Sequence, residues 1–101
     1  MKYKTNKLKK LENERYSLFS NEEMCYKCNG TSQLTWHEIF DGRNRQNSMR
    51  YGLCLRLCLK CHREITNDIA FKNEWYKKGQ VKFQETYPNL DFLSIFYKNY
   101  L

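Results

Sequence analysis

Three short stretches hold the residues of this chain that can do chemistry: Cys25 and Cys28, Trp36-His37-Glu38, and Cys58-Leu59-Lys60-Cys61-His62. Two Cys-x-x-Cys pairs flank the 29 residues from 29 to 57. Four thiolates at this spacing are the soft, tetrahedral donor set that Zn2+ prefers, with Zn–S expected near ~2.3 Å. Cys25, Cys28, Cys58 and Cys61 are therefore expected to hold a structural zinc ion. His37 and His62, the chain's 2 histidines, lie at or inside the frame that those thiols close. A zinc clip does not need them, and that surplus points to chemistry beyond scaffolding.

Other readings of the same residues are blander. The frame alone fits a zinc ribbon that is purely architectural or binds DNA. Cys58 to His62 also spells the Cys-x-x-Cys-His of c-type haem attachment. That chemistry normally happens outside the cytosol, and it leaves Cys25 and Cys28 unused. A lone histidine is most often a surface or core residue. Cys54 is the odd thiol; among leucines in a strand, it reads as free and partly buried.

The elements that must position these groups follow from periodicity. Lys4 to Tyr16, with Leu8 and Leu11 in a charged background, reads as a short exposed helix. Ser20-Asn21-Glu22-Glu23 reads as a cap or turn before the first cysteine pair. Cys25 to Gly30 reads as a metal knuckle in which Gly30 takes a positive φ. Gln33 to Phe40, rich in β-formers, is a strand, and Asp41-Gly42 opens a polar loop through Ser48. Tyr51 to Leu57 alternates, with Leu53, Leu55 and Leu57 on one face, and makes a second strand paired with the first. The pattern turns helical after Cys58. Phe71, Trp75, Gly79, Phe83 and Tyr87 recur every four residues as a core stripe on a long helix that Pro88 stops. Leu90 to Phe96 adds a last short helix. The fold class is α+β, one domain of three parts: a basic arm or helix (1–19), a zinc-stapled finger (20–70) and a helical extension (71–101).

At 101 residues, 41% hydrophobic and 29% charged, the core is thin, and small domains of this kind lean on a metal or another staple. No apolar run is long enough to span a membrane and no secretory signal is present, so the expected place is a reducing cytosol, where thiols serve as ligands. The formal charge is +7; four thiolates and one Zn2+ would bring it to about +5. From Gly42 to His62 there is no Asp or Glu, while Arg43, Arg45, Arg50, Arg56 and Lys60 all fall there. Lys2, Lys4, Lys7, Lys9 and Lys10 form a second basic cluster. Both suit a polyanion bound through phosphates, with salt-dependent affinity. The rival is a protein-binding zinc module whose basic face only aids solubility.

A strand–loop–strand–helix order brings the end of the first strand to the start of the helix after the second. His37 and His62, with Glu38 adjacent, would then surround a second divalent ion. In Cys25-x-x-Cys28, His37-Glu38-Ile39-Phe40, Asp41 to Leu53 and Leu57-Cys58-x-x-Cys61-His62, the chain resembles the HNH endonucleases. These are the ββα-metal or His-Me finger family, and the likeness is to short, zinc-stapled, phage-encoded members. It is specific over Cys25 to His62 and extends more loosely over the C-terminal helices.

The resemblance implies a DNA endonuclease that hydrolyses phosphodiester bonds with Mg2+ or Mn2+, in the cytoplasm of a bacterial host. Carried over by position, His37 and His62 are ligands of the catalytic ion and Glu38 holds the base position. The other assignment makes His37 the base, with Glu38 and His62 on the metal. Two positions depart from the family pattern: Glu38 stands where a second histidine is usual, and the central asparagine is missing, with Asn44 or Asn47 as substitutes. The alternative function is a non-catalytic, zinc-containing DNA-binding protein acting with phage recombination or packaging proteins.

Overall fold

A computed structural model describes residues 6–19 and 22–101. Lys2, Lys4 and the Ser20-Asn21 part of the expected cap lie outside those residues. The chain is α+β: α1 Asn6–Asn13, β1 Leu34–Glu38, α2 Arg45–Arg50, β2 Cys54–Cys58, α3 Leu59–Thr66, α4 Ile69–Thr86 and α5 Phe92–Phe96. β1 and β2 form a two-stranded antiparallel sheet in which Thr35 faces Leu57, His37 faces Leu55 and Glu38 faces Cys54.

The segment between the strands is not the open polar loop that its composition suggests. A 3-10 turn, Gly42–Asn44, leads straight into α2. Its polar side chains point inward to satisfy backbone that would otherwise be buried without partners. The Ser48 hydroxyl donates to the Phe40 carbonyl at 2.6 Å and accepts from the Phe40 N–H at 3.0 Å. Asn44 Nδ2 donates to the Phe96 carbonyl at 2.9 Å. A run of Asn, Gln, Ser and Arg reads as solvent-facing, and here half of it is internal bracing.

The expected continuous helix after Cys58 is two helices. Asn67 ends α3, and the Asp68 carboxylate caps α4 by accepting from the Phe71 N–H at 2.9 Å. An Asp at the N-cap satisfies a helix-start donor that an unbroken helix would have paired with its own backbone. α4 runs across residue 70, where finger and extension were expected to meet. The stripe on α4 is core: Trp75, Gly79 and Phe83 are buried. Gly79 lets the sheet-edge aromatic approach, since a Cβ there would lie 2.8 Å from the Phe40 ring. Phe40 then sits among Tyr76, Phe92, Phe96 and Tyr100, with ring centroids 4.8–5.6 Å away. One hydrophobic cluster joins Leu53, Leu55 and Leu57 to these rings and to Cys25, Cys61 and Ile65. The sheet is thus fixed from one side by aromatic packing and at one end by cysteines.

Candidate metal centre and the adjoining histidine cleft

The ligand sulfurs of Cys25, Cys28, Cys58 and Cys61 all lie within 4.8 Å of one another, positioned to hold a metal ion. Cys28 Sγ and Cys58 Sγ are 3.7 Å apart; the edge of a tetrahedron with ~2.3 Å metal–sulfur bonds is about 3.8 Å. The donor set is that of structural zinc. Local backbone chemistry builds both knuckles. In the first, Asn29 rather than Gly30 takes the left-handed conformation, with φ 64°. Asn tolerates it, while Gly30 leaves room for the sulfur: a Cβ there would lie 3.3 Å from Cys28 Sγ, a tight contact. In the second, Cys58 caps α3 and its sulfur accepts from the Cys61 N–H at 3.5 Å. Tyr26 N–H donates to the Arg56 carbonyl at 2.7 Å, tying the first knuckle to β2. Burial works against a Cys25 thiolate, but backbone N–H groups of the two knuckles outweigh it and hold that thiol down to about 6. Burial and the three neighbouring sulfurs push Cys61 up to about 12. One thiolate forms readily and the last is opposed by the others, so a divalent cation at their centre is what makes four thiolates compatible.

Beside this centre lies a cleft of about 170 Å³ lined by His37, Glu38, Asp41, His62, Thr66 and Lys72. It is not the largest concavity. A groove of about 460 Å³ lined by Phe19, Tyr26, Trp75, Val81, Glu85 and three lysines shares no residue with it. That groove gathers no imidazole or thiol, so size does not mark the chemistry here. In the smaller cleft, the His37 and His62 rings meet edge to face with centroids 5.4 Å apart. His62 gets there because Cys61 fixes the first turn of α3, and His37 because its register places it opposite Leu55.

The tautomer of His62 follows from its neighbours. Thr35 Oγ1 donates to the Leu57 carbonyl at 2.8 Å, which uses its only proton. The same oxygen lies 2.8 Å from His62 Nδ1, so it accepts there and Nδ1 carries the hydrogen. The Nε2 lone pair is left for a metal or a proton. At the other end of the residue, the Thr66 hydroxyl donates to the His62 carbonyl at 2.8 Å. Burial, reinforced by His62 and Lys72 and opposed by Asp41, draws His37 from the usual 6.5 down to about 4. It is a neutral imidazole at pH 7.

Glu38 lines the cleft as well, but its carboxylate is engaged by arginines. Successive residues of a strand point to opposite faces, and the Glu38 carboxylate pairs with Arg15 at 3.6 Å and Arg45 at 3.5 Å. Arg15 and Arg45 also reach Glu12, at 3.0 and 3.1 Å, so β1, α1 and α2 share one ionic cluster. Only 13% of the Glu38 side chain is exposed. The carboxylate expected as base or metal ligand is thus held in an ionic cluster at the edge of the cleft. Asn44 and Asn47 are likewise committed elsewhere. Asn47 Nδ2 donates to the Ile95 carbonyl at 3.1 Å, so the pair anchors α5 and orients neither histidine. Of the five basic residues expected to meet phosphates, Arg43, Arg50 and Lys60 are exposed. Arg45 belongs to the ionic cluster, and Arg56 lies 4.5 Å over the Trp36 ring while its Nε donates to the Glu22 carbonyl.

Thr35, Asp41, Thr66 and Lys72 escaped the sequence reading. Asp41 looked like a turn residue and Lys72 carried no signal of its own; only the alternation Thr35-x-His37 hinted that Thr35 shares the histidine face. Among the described residues the cysteines are the one group of three or more converging donors, so the cleft offers an open pair of imidazoles rather than a closed cage. No helix is long and apolar enough to cross a membrane among the described residues. Comparison with protein-family models, with curated proteins and with solved structures gave no match.

Proposed function

We propose that the chain is a zinc-stapled, metal-dependent DNA endonuclease of the His-Me finger (HNH) type. The observation that carries this reading is the His37–His62 pair, 5.4 Å apart in a cleft beside the cysteine centre, with the Nε2 lone pair of His62 left available by Thr35. The element order β1–β2–α3, with one histidine on the first strand and the other on the helix, supports it. A cage of four cysteines stabilises; an open imidazole pair with a nearby carboxylate leaves room for substrate.

The cleft divides the roles. His62, with its ring oriented by Thr35, is the ligand of the second ion, and Asp41 is a carboxylate on the same cleft. Such an ion, when bound, would polarise the phosphodiester and stabilise its leaving oxygen. Imidazole donors favour zinc, nickel or iron, the carboxylate suits manganese or magnesium, and of the first-row divalent ions manganese binds such N/O sites most weakly. His37 is the general base. It is neutral at pH 7, because burial, with His62 and Lys72 beside it, disfavours a positive charge on it. It takes the proton of the attacking water. Its low value makes it a weak base, and a bound phosphate anion would raise that value toward neutrality.

DNA is held through phosphates by Arg43, Arg50, Lys60 and the lysines of α1, so binding falls with salt by about −0.9 in log–log slope for each phosphate neutralised. A second reading, favoured by the withdrawal of Glu38 into an ionic cluster, keeps the DNA binding and the zinc but not the turnover. Plasmid nicking with a series of divalent metals separates the two. Wild type and Glu38→Gln should cut, His37→Ala and His62→Ala should not, and manganese should outperform magnesium. A wild type that binds DNA but never nicks it with any metal supports the second reading.

A further inference from the structure

Lys72 stands on the first turns of α4 and lines the histidine cleft, half-buried. Among the described residues its ammonium makes no ion pair, although Asp41 lines the same cleft. It is also the one cation among the described residues on that lining. A half-buried cation beside two imidazoles gives the cleft a donor for an anion. It also opposes a cation on His37, so its presence makes little sense for a cleft that serves metal alone. The neighbouring Thr66 hydroxyl spends its proton on the His62 carbonyl and cannot donate to an anion. That leaves Lys72 as the main charged donor of the cleft.

We propose that Lys72 is a catalytic residue that binds a non-bridging oxygen of the scissile phosphodiester, placing the phosphorus between His37 and the His62 side of the cleft. The proposal rests on the hydrolytic reading above and adds the group that holds the substrate's charge. No bond forms or breaks at Lys72. Its ammonium neutralises charge that grows on the equatorial oxygens as water adds, the kind of stabilisation whose loss typically costs about 100- to 1,000-fold in rate. Arg in its place would preserve the charge and much of the contact; Met would preserve the stem and remove both.

The test uses the full chain with its cysteine centre loaded, as wild type, Lys72→Met and Lys72→Arg, with metal content and circular dichroism checked for each. Dimethyl phosphate is titrated in while the His37 and His62 imidazole resonances are followed, and plasmid nicking is measured with manganese. The expected result is saturable movement of the resonances in wild type and Lys72→Arg, absent in Lys72→Met. The nicking rate should fall about 100-fold in Lys72→Met, with manganese affinity unchanged or tighter, and recover in part in Lys72→Arg. Lys72-dependent phosphate binding in a protein that does not nick DNA would keep the anion site and remove the hydrolase reading. Lys72→Met that still binds dimethyl phosphate, or cuts at the wild-type rate, would overturn the proposal.

Discussion

The cysteine centre, seated at the end of β2, and the histidine cleft, seated on β1, meet on α3, yet they are built in opposite ways. Four sulfurs close on one point, two of them from a turn and two from a strand–helix junction, with nearby backbone N–H groups tuning them. The cleft is lined by two imidazoles, the acidic residues Glu38 and Asp41, and an ammonium, and these do not close on one point. A closed donor set is saturated by its ion and can only stabilise; an open one has positions to give to water and substrate. The two are coupled through a single peptide bond, because Cys61 is held by the centre and His62 follows it. Metal held at the cysteines would therefore help to position the His62 ring.

The largest effect should come from breaking the closed site. Structural zinc supplies about 10–16 kcal/mol of apparent free energy to small domains, against total stabilities of about 5–15 kcal/mol. Removing the metal with a strong chelator, or Cys61→Ser, should unfold the chain and abolish the cleft with it, as read by circular dichroism. A metal-free chain that stays folded would show that the aromatic core suffices. That core can be probed alone: Phe40→Ala removes a ring packed against four others and should cost about 3–5 kcal/mol in urea unfolding of the metal-loaded protein.

Next in size is the pH response of the cleft. The folded value of His37, about 4, lies below the ordinary 6.5, so the unfolded chain binds the proton more tightly. Its contribution is fully present above about pH 6.5 and is lost as the pH falls through about 4, up to about 3 kcal/mol in all. Acid also strips metal from thiolates, but a His37→Gln variant shares that loss. The stability difference between wild type and variant across this window isolates the imidazole, and a flat difference would mean that His37 is not held neutral. The smallest structural effect belongs to Thr35→Val. It should cost about 1 kcal/mol and release the His62 tautomer, visible in the ring nitrogen resonances. Loss of such an orienting partner typically lowers activity or metal affinity about 10- to 100-fold.

The contrast between the two sites also explains what could be read from the sequence. The cysteine pairs were legible because each is a local motif whose spacing is itself the geometry. The strand containing His37 and the stripe from Trp75 to Phe83 were legible because burial imposes a period. The ion pairing of Glu38 was not, since Arg15 and Arg45 reach it from the segment after α1 and from α2, while adjacency in sequence showed only His37. Asn44, Asn47 and Ser48 misled for a related reason: polar residues can turn inward to serve backbone, and composition alone says loop. Lys72 and Asp41 reach the cleft only through the packing of α4 and the turn after β1, which no spacing rule encodes.

The central claim is that the open pair of histidines cuts phosphodiesters, and the most direct measurement is the single-turnover rate of plasmid nicking by His62→Ala and wild type in manganese. Both proteins must carry the same metal content at the cysteines and the same circular dichroism, so that only the cleft differs. The expected result is a measurable wild-type rate that falls by at least about 100-fold in the variant, with DNA affinity retained. Equal nicking by the two would contradict the account.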